Sequence, residues 1–189
     1  MNGFNDVSID RVASSILSLL GVEKDPDMGR EIESITEKRR CHRVIMYNPD
    51  AVAQWIYEGH RDLFSPILER IDLNIEMLSM VPPVTPVCFA SMYSGLLPEK
   101  HGIREYIKPV LKCRTVFDVL SENGKKCAIV STEGDSISKI FLERNIDYFI
   151  YKTKKECNDK ALSLIDEDKY DLMVLYNGDY DHYMHRFSL

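Results

Sequence analysis

The densest group of side chains able to do chemistry is the run Asn177-Gly178-Asp179-Tyr180-Asp181-His182-Tyr183-Met184-His185. Asp181 and His185 stand four residues apart, so on a helical turn they point the same way and can share one divalent cation. A hard carboxylate oxygen paired with a borderline imidazole nitrogen suits zinc or manganese better than calcium. Asp179 and His182 compete for the same work from neighbouring positions, and the whole pattern is also met as a charged surface turn. Asp50, in Asn48-Pro49-Asp50, offers a second carboxylate, although an aspartate there is more often a turn or helix-cap residue. Thr85, in Pro82-Pro83-Val84-Thr85-Pro86, stands at an expected helix start. Unpaired N–H groups and the positive dipole end favour a phosphoryl oxygen there, and a metal-bound threonine alkoxide would be an activated nucleophile. As a plain helix cap, Thr85 would have no chemistry. Cys88 has no basic residue set beside it by the sequence and reads as packing, whereas His101 in Pro98-Glu99-Lys100-His101-Gly102-Ile103 reads as the organiser of a loop. Tyr93, Tyr106 and Tyr183 suit a core as well as a base-stacking surface.

These residues need strand ends to deliver them. From Cys41 onward, short apolar runs alternate with amphipathic stretches. Strands are expected at 43–47, 127–131, 148–151 and 172–176, with a further extended candidate at 73–81. Helices are expected at 51–71 (interrupted or kinked near Pro66), 87–94, 115–122, 136–144 and 155–167. Wholly apolar strands separated by helices predict an α/β fold, a mostly parallel sheet flanked by helices on both faces. Ligands of such sheets bind beyond the carboxyl ends of the strands, where Asp50, Thr85 and the 177–185 run fall. Before this domain, Ile9, Val12, Ala13, Ile16, Leu17 and Leu20 make a helical stripe ending at Gly21, and the charged segment 23–40 reads as a solvated connection. The division expected is an N-terminal helical extension over residues 1–40, packed on the outside, and an α/β domain over 41–189.

The chain has 189 residues, 44% of them hydrophobic and 29% charged, enough to bury one sizeable core. Its 24 basic and 30 acidic residues give a formal charge of −6, which excludes a general attraction for a nucleic-acid duplex or an anionic membrane. Phosphate would have to be held by local devices, a metal or a helix N-terminus. Five scattered cysteines without a CxxC pair read as reduced thiols. With no signal segment and no apolar run long enough for a membrane span, a cytoplasmic protein is the expectation.

The segment from Thr85 to Ile103, TPVCFASMYSGLLPEKHGI, resembles the nucleophile segment of the type I phosphodiesterase/nucleotide pyrophosphatase family of the alkaline phosphatase superfamily. That family carries a threonine ten residues before the glycine of a T/S-G-x-x-P-x-x-H-G-I run. Asp181 to His185 resembles its D-x-x-G-H metal motif, and Arg43 to Asp50 its first strand, which ends in a metal-binding aspartate. The resemblance covers residues 41–189. It implies an alkaline phosphatase-like core and a two-metal hydrolase, most often with zinc (manganese is the other option), acting on a small phosphate ester or nucleotide. One cation would be held by Asp50 and Thr85 and the other by Asp181 and His185. Thr85 would attack phosphorus in line to give a phosphothreonine that water hydrolyses, with the two cations activating the attacking and leaving oxygens.

The sequence also departs from the pattern. Cys88 stands where asparagine is common, Met184 replaces the glycine before the metal histidine, and Ser188-Leu189 stands where Gly-Pro is frequent. The family's later Asp-His-Gly motif and final metal histidine have no counterpart. The expectation is therefore an incomplete core, the N-terminal part of the family's catalytic domain. It would bind metal weakly, turn over poorly and leave a sheet edge able to pair with a second copy. A degenerate or truncated α/β binding or assembly module is the alternative reading. Mutase and sulfatase activities fit less well, since Thr85-Pro86-Val87-Cys88 offers neither a serine nucleophile nor a C/S-x-P-x-R context.

Overall fold

A computed structural model describes residues 7–37 and 39–187; Ser188-Leu189 lies outside the described residues. Strands β1 (Val44–Pro49), β2 (Cys127–Thr132), β3 (Asp147–Tyr151) and β4 (Leu172–Asn177) form one sheet. Its order is β1-β4-β2-β3, and every neighbouring pair is parallel. Parallel neighbours cannot be joined by hairpins, so each connection must cross a face, and the crossings are helical. They are α3 (Gln54–Gly59), α4 (Ser65–Leu68), α5 (Thr85–Ser94), α6 (Pro98–His101) and α7 (Val116–Glu122) between β1 and β2, preceded by α1 (Val12–Leu19) and α2 (Glu33–Thr36). α8 (Ile137–Ile140) and α9 (Lys154–Glu167) follow β2 and β3, and α10 (Asp179–Phe187) follows β4. The insertion of β4 between β1 and β2 pairs Asn48 with Tyr176 and Pro49 with Asn177, so the first and last strands end side by side.

Side chains alternate across the sheet, as the pleat requires. Cys127 and Ile129 of β2 with Leu172, Val174 and Tyr176 of β4 enter the main core. There Tyr93 stacks on Phe117 and both meet Phe141 edge-to-face, at centroid distances of 5.2–5.5 Å. Ala128, Val130 and Met173 face the other way onto Cys157, Ala161 and Leu164 of α9. The strand expected at 43–47 is buried on one face only. β1 is an edge strand, and its Ile45 and Tyr47 are 40% and 54% exposed.

Several expected boundaries shift. The helix expected over 51–71 breaks at His60 (φ −134°) after Gly59, while Pro66 sits in the first turn of α4, where its missing N–H costs nothing. Residues 73–81 form no strand, because they find a partner only in one parallel bridge between Leu78 and Ser8. The helix expected over 136–144 is helical only over Ile137–Ile140. The N-terminal piece does not sit outside the domain: Ala13, Ile16 and Leu17 are buried in the main core with α5 and α7. Nor is 23–40 wholly solvated. Met28 and Ile32 are buried; Ser14 Oγ donates to the Gly29 carbonyl at 2.5 Å, and Ser15 Oγ accepts from the Ile32 N–H at 2.8 Å. All five cysteines are unpaired. Among the described residues no helix is long and apolar enough to cross a membrane.

α5 is fixed at its far end by two devices. Gly95 takes φ +69°, and a Cβ there would stand 2.9 Å from Cβ and Cγ of Met28. His101, 7% exposed, accepts the Ile103 N–H at Nδ1 (3.2 Å). Its proton therefore sits on Nε2, donating to Ser91 Oγ at 2.9 Å. Burial pushes its pKa down from 6.5 to about 4.

Gly95→Ala combines left-handed strain with a clash on Met28 and is expected to cost about 2–3 kcal/mol, read from urea unfolding. For His101 the folded state binds the proton less well than the unfolded chain. Its contribution is thus intact above pH 6.5 and lost as pH falls towards 4, by about 2–3 kcal/mol. Urea unfolding at pH 7 and pH 4.5 should show this loss in the wild type, and a smaller loss by that amount in His101→Gln.

Candidate active site

The site begins where β1 stops. The Asp50 N–H continues the ladder to the Asn177 carbonyl at 2.9 Å. Ala51 then turns through φ +59° and returns its own N–H to Asp50 Oδ1 at 2.8 Å. That leaves Oδ2 facing two hydroxyl donors, Thr85 Oγ1 at 3.0 Å and Tyr176 at 2.6 Å. Thr85 opens α5, yet its hydroxyl caps nothing: the capping position belongs to Val84, and no side-chain cap bond is present. The hydroxyl is directed at a carboxylate instead.

Asp181 and His185 lie on α10, one turn apart, with Nε2 3.4 Å from Oδ1, as their spacing predicts. The helix is started by the Asn177 side chain, which accepts the Asp179 N–H at 3.0 Å. Asp50, Thr85, Asp181 and His185 all line two clefts that share them. The larger, about 990 Å³, is walled by apolar side chains including Val52, Val84, Phe89 and Met92. The smaller, about 300 Å³, is polar and adds Thr132, Asp135, Lys154 and His182.

The electrostatics are those of crowded acids. The Asp181 carboxyl is raised above its ordinary value, first by burial and then by the charge of Asp50, with His185 and His182 opposing. The Tyr176 phenol is pushed up by burial and by Asp50 and remains a donor at neutral pH. Cys88 lines the larger cleft, but burial and Asp50 hold its thiol protonated, consistent with a packing role.

The donor types fit a divalent cation: two carboxylates and an imidazole, with a hydroxyl between. They are not drawn into a closed cage, since among the described residues no three of His, Cys, Asp and Glu are grouped closely enough to hold an ion.

Sequence reasoning missed several side chains of this rim. Lys154 bonds Thr132 Oγ1 at 2.7 Å and Asp135 Oδ2 at 2.9 Å, and its ammonium lies 4.9 Å above the Tyr176 ring. The carboxyl ends of β2 and β4 were the available signal, because Thr132 and Tyr176 are the last or next-to-last residues of their strands. Of the three ambiguous tyrosines, Tyr93 is core, Tyr106 is exposed and lines both clefts, and Tyr183 is exposed on α10. Comparison with protein-family models, curated proteins and solved structures finds no match to this chain.

Because the fold disfavours the charged form of Asp181, Asp181→Asn is expected to stabilise the metal-free protein at pH 7. A third of that side chain is exposed, so solvent screening limits the gain to about 0.5 kcal/mol. Thermal unfolding should show Tm rising by 1–2 °C, on the order expected for this size, and the difference vanishing near pH 3.5.

Proposed function

We propose that this chain is a metal-dependent phosphohydrolase of the phosphodiesterase/nucleotide pyrophosphatase type, built on an alkaline phosphatase-like core, with Thr85 as its nucleophile. The observation that carries the reading is the Thr85 hydroxyl. It points away from its own helix to the Asp50 carboxylate at 3.0 Å, in clefts also lined by Asp181 and His185.

Asp50 holds the proton of Thr85, which turns the oxygen lone pairs of the nucleophile outward. The N-terminus of α5, ten residues long, presents N–H groups and a positive dipole end to a phosphoryl oxygen. Thr85 Oγ1 forms the new bond to phosphorus as the ester P–O bond opposite breaks. The Thr85 proton passes to Asp50, and the departing alkoxide takes up a proton from water. A second water attacks phosphorus as the Thr85 Oγ1–P bond breaks, releasing the phosphate monoester of a diester while Asp50 returns the proton to the hydroxyl. Asp50 with Thr85, and Asp181 with His185, are the residues that would hold divalent cations, zinc or manganese. When bound, such cations neutralise phosphate charge and lower the pKa of a hydroxyl, the chemistry an acidic chain most needs. The larger cleft has room for the organic part of an ester, a nucleoside included.

The open arrangement of the acids and histidines favours a second reading, a binding module that keeps the fold and part of a site. Hydrolysis of bis-p-nitrophenyl phosphate with zinc or manganese separates the two. The expected result is slow but saturable turnover that Thr85→Ala lowers by on the order of 100-fold or more. Equal rates in the two proteins would remove Thr85 from the mechanism, and no turnover in either would leave the binding module.

A further inference from the structure

Tyr176 is the penultimate residue of β4 and 5% exposed. Its ring meets the edge of Phe89 at 5.4 Å and 82° and carries the Lys154 ammonium 4.9 Å over its face. Both contacts fix where the hydroxyl points. The chain then passes directly beneath that hydroxyl at Gly178: a Cβ there would lie 2.7 Å from the phenol oxygen and 3.1 Å from the carbon bearing it. Gly178 has no left-handed φ to explain it. Its requirement is space.

The hydroxyl so placed makes the shortest bond to the Asp50 carboxylate, 2.6 Å against 3.0 Å for Thr85, and both donors converge on Oδ2. The Ala51 N–H holds the other oxygen and belongs to the same turn as Asp50, so it cannot anchor the carboxylate to the rest of the fold. Tyr176 can, because its position is set by the sheet. A hydrogen bond to a charged acceptor is also among the strong ones.

We propose that Tyr176 is a positioning residue, orienting the Asp50 carboxylate so that Oδ2 receives the Thr85 hydroxyl, and that position 178 is glycine to leave room for the Tyr176 hydroxyl. The activity arm of this proposal rests on the phosphohydrolase reading; the hydrogen bond itself does not.

Tyr176→Phe keeps the ring and its contacts with Phe89 and Lys154. On bis-p-nitrophenyl phosphate it should lower kcat by about 10- to 100-fold with KM changed less than about threefold, because orientation of the nucleophile is lost while the clefts remain. Gly178→Ala should lower kcat in the same way. Added to Tyr176→Phe it should cost less than about a further twofold, since the atom it would strike first is gone. A kcat for Tyr176→Phe within twofold of wild type, or effects that simply multiply, overturns the proposal.

A second arm needs no turnover. The change in Tm on Asp50→Ala, measured with and without Tyr176→Phe in the metal-free protein, should differ by about 2 °C or more if the two side chains are coupled. Equal changes overturn the positioning role. Wild-type protein without activity counts against the phosphohydrolase reading alone, and this second arm then decides the proposal.

Discussion

One carboxylate oxygen, Oδ2 of Asp50, joins three stretches of chain that lie 35 and 126 residues apart in sequence. It receives the hydroxyl that opens α5 and the phenol that ends β4, beside the terminus of β1. Partly buried polar groups are costly unless paired, so the three elements are held to one arrangement. The arrangement is available only because β4 inserts next to β1. Without that strand order Tyr176 and Asn177 would not lie against Asn48 and Pro49.

The helix carrying Thr85 is held at both ends. At its start the hydroxyl meets Asp50. At its finish the close approach of Met28 to Gly95 and the bond between Ser91 and His101 leave α5 little freedom to slide. Between them Val87, Ala90 and Tyr93 are fully buried, and the Asn48 side chain donates to the Tyr93 hydroxyl at 2.9 Å, tying the helix to β1. A reactive group on such an element keeps its place better than one on a loop. The N-terminal segment contributes to this rigidity, since α1 packs in the same core as α5 and the buried Met28 closes on Gly95 at its end.

Charge is spent unevenly. The chain is acidic overall, yet two of its carboxylates, Asp50 and Asp181, approach the same clefts closely enough for one to raise the pKa of the other. His185 and His182 oppose this rise, but the nearby lysines do not. Lys154 is engaged by Asp135 and Thr132, and Lys108 by the Gly134 carbonyl. A site that accumulates negative charge at a cost to stability is the pattern expected where function, rather than folding, sets the residues.

Much of this was open to inspection in the residues alone. Apolar runs of strand length separated by helical periodicity fix an α/β sheet, because a strand buried on both faces must be apolar throughout. The i, i+4 spacing sets Asp181 and His185 on one face, because helical geometry is local. Asp50 and Thr85 were visible as strand-end and helix-start residues, though not that the Thr85 hydroxyl would bypass its own helix. Strand order was not legible, since it depends on which long-range pairings bury most surface. With it were hidden the exposed face of β1, the inclusion of α1 in the core, and the part played by Tyr176. The strand expected at 73–81 failed for a physical reason. Local propensity says what a segment can become, and only its neighbours in space decide whether it has a partner.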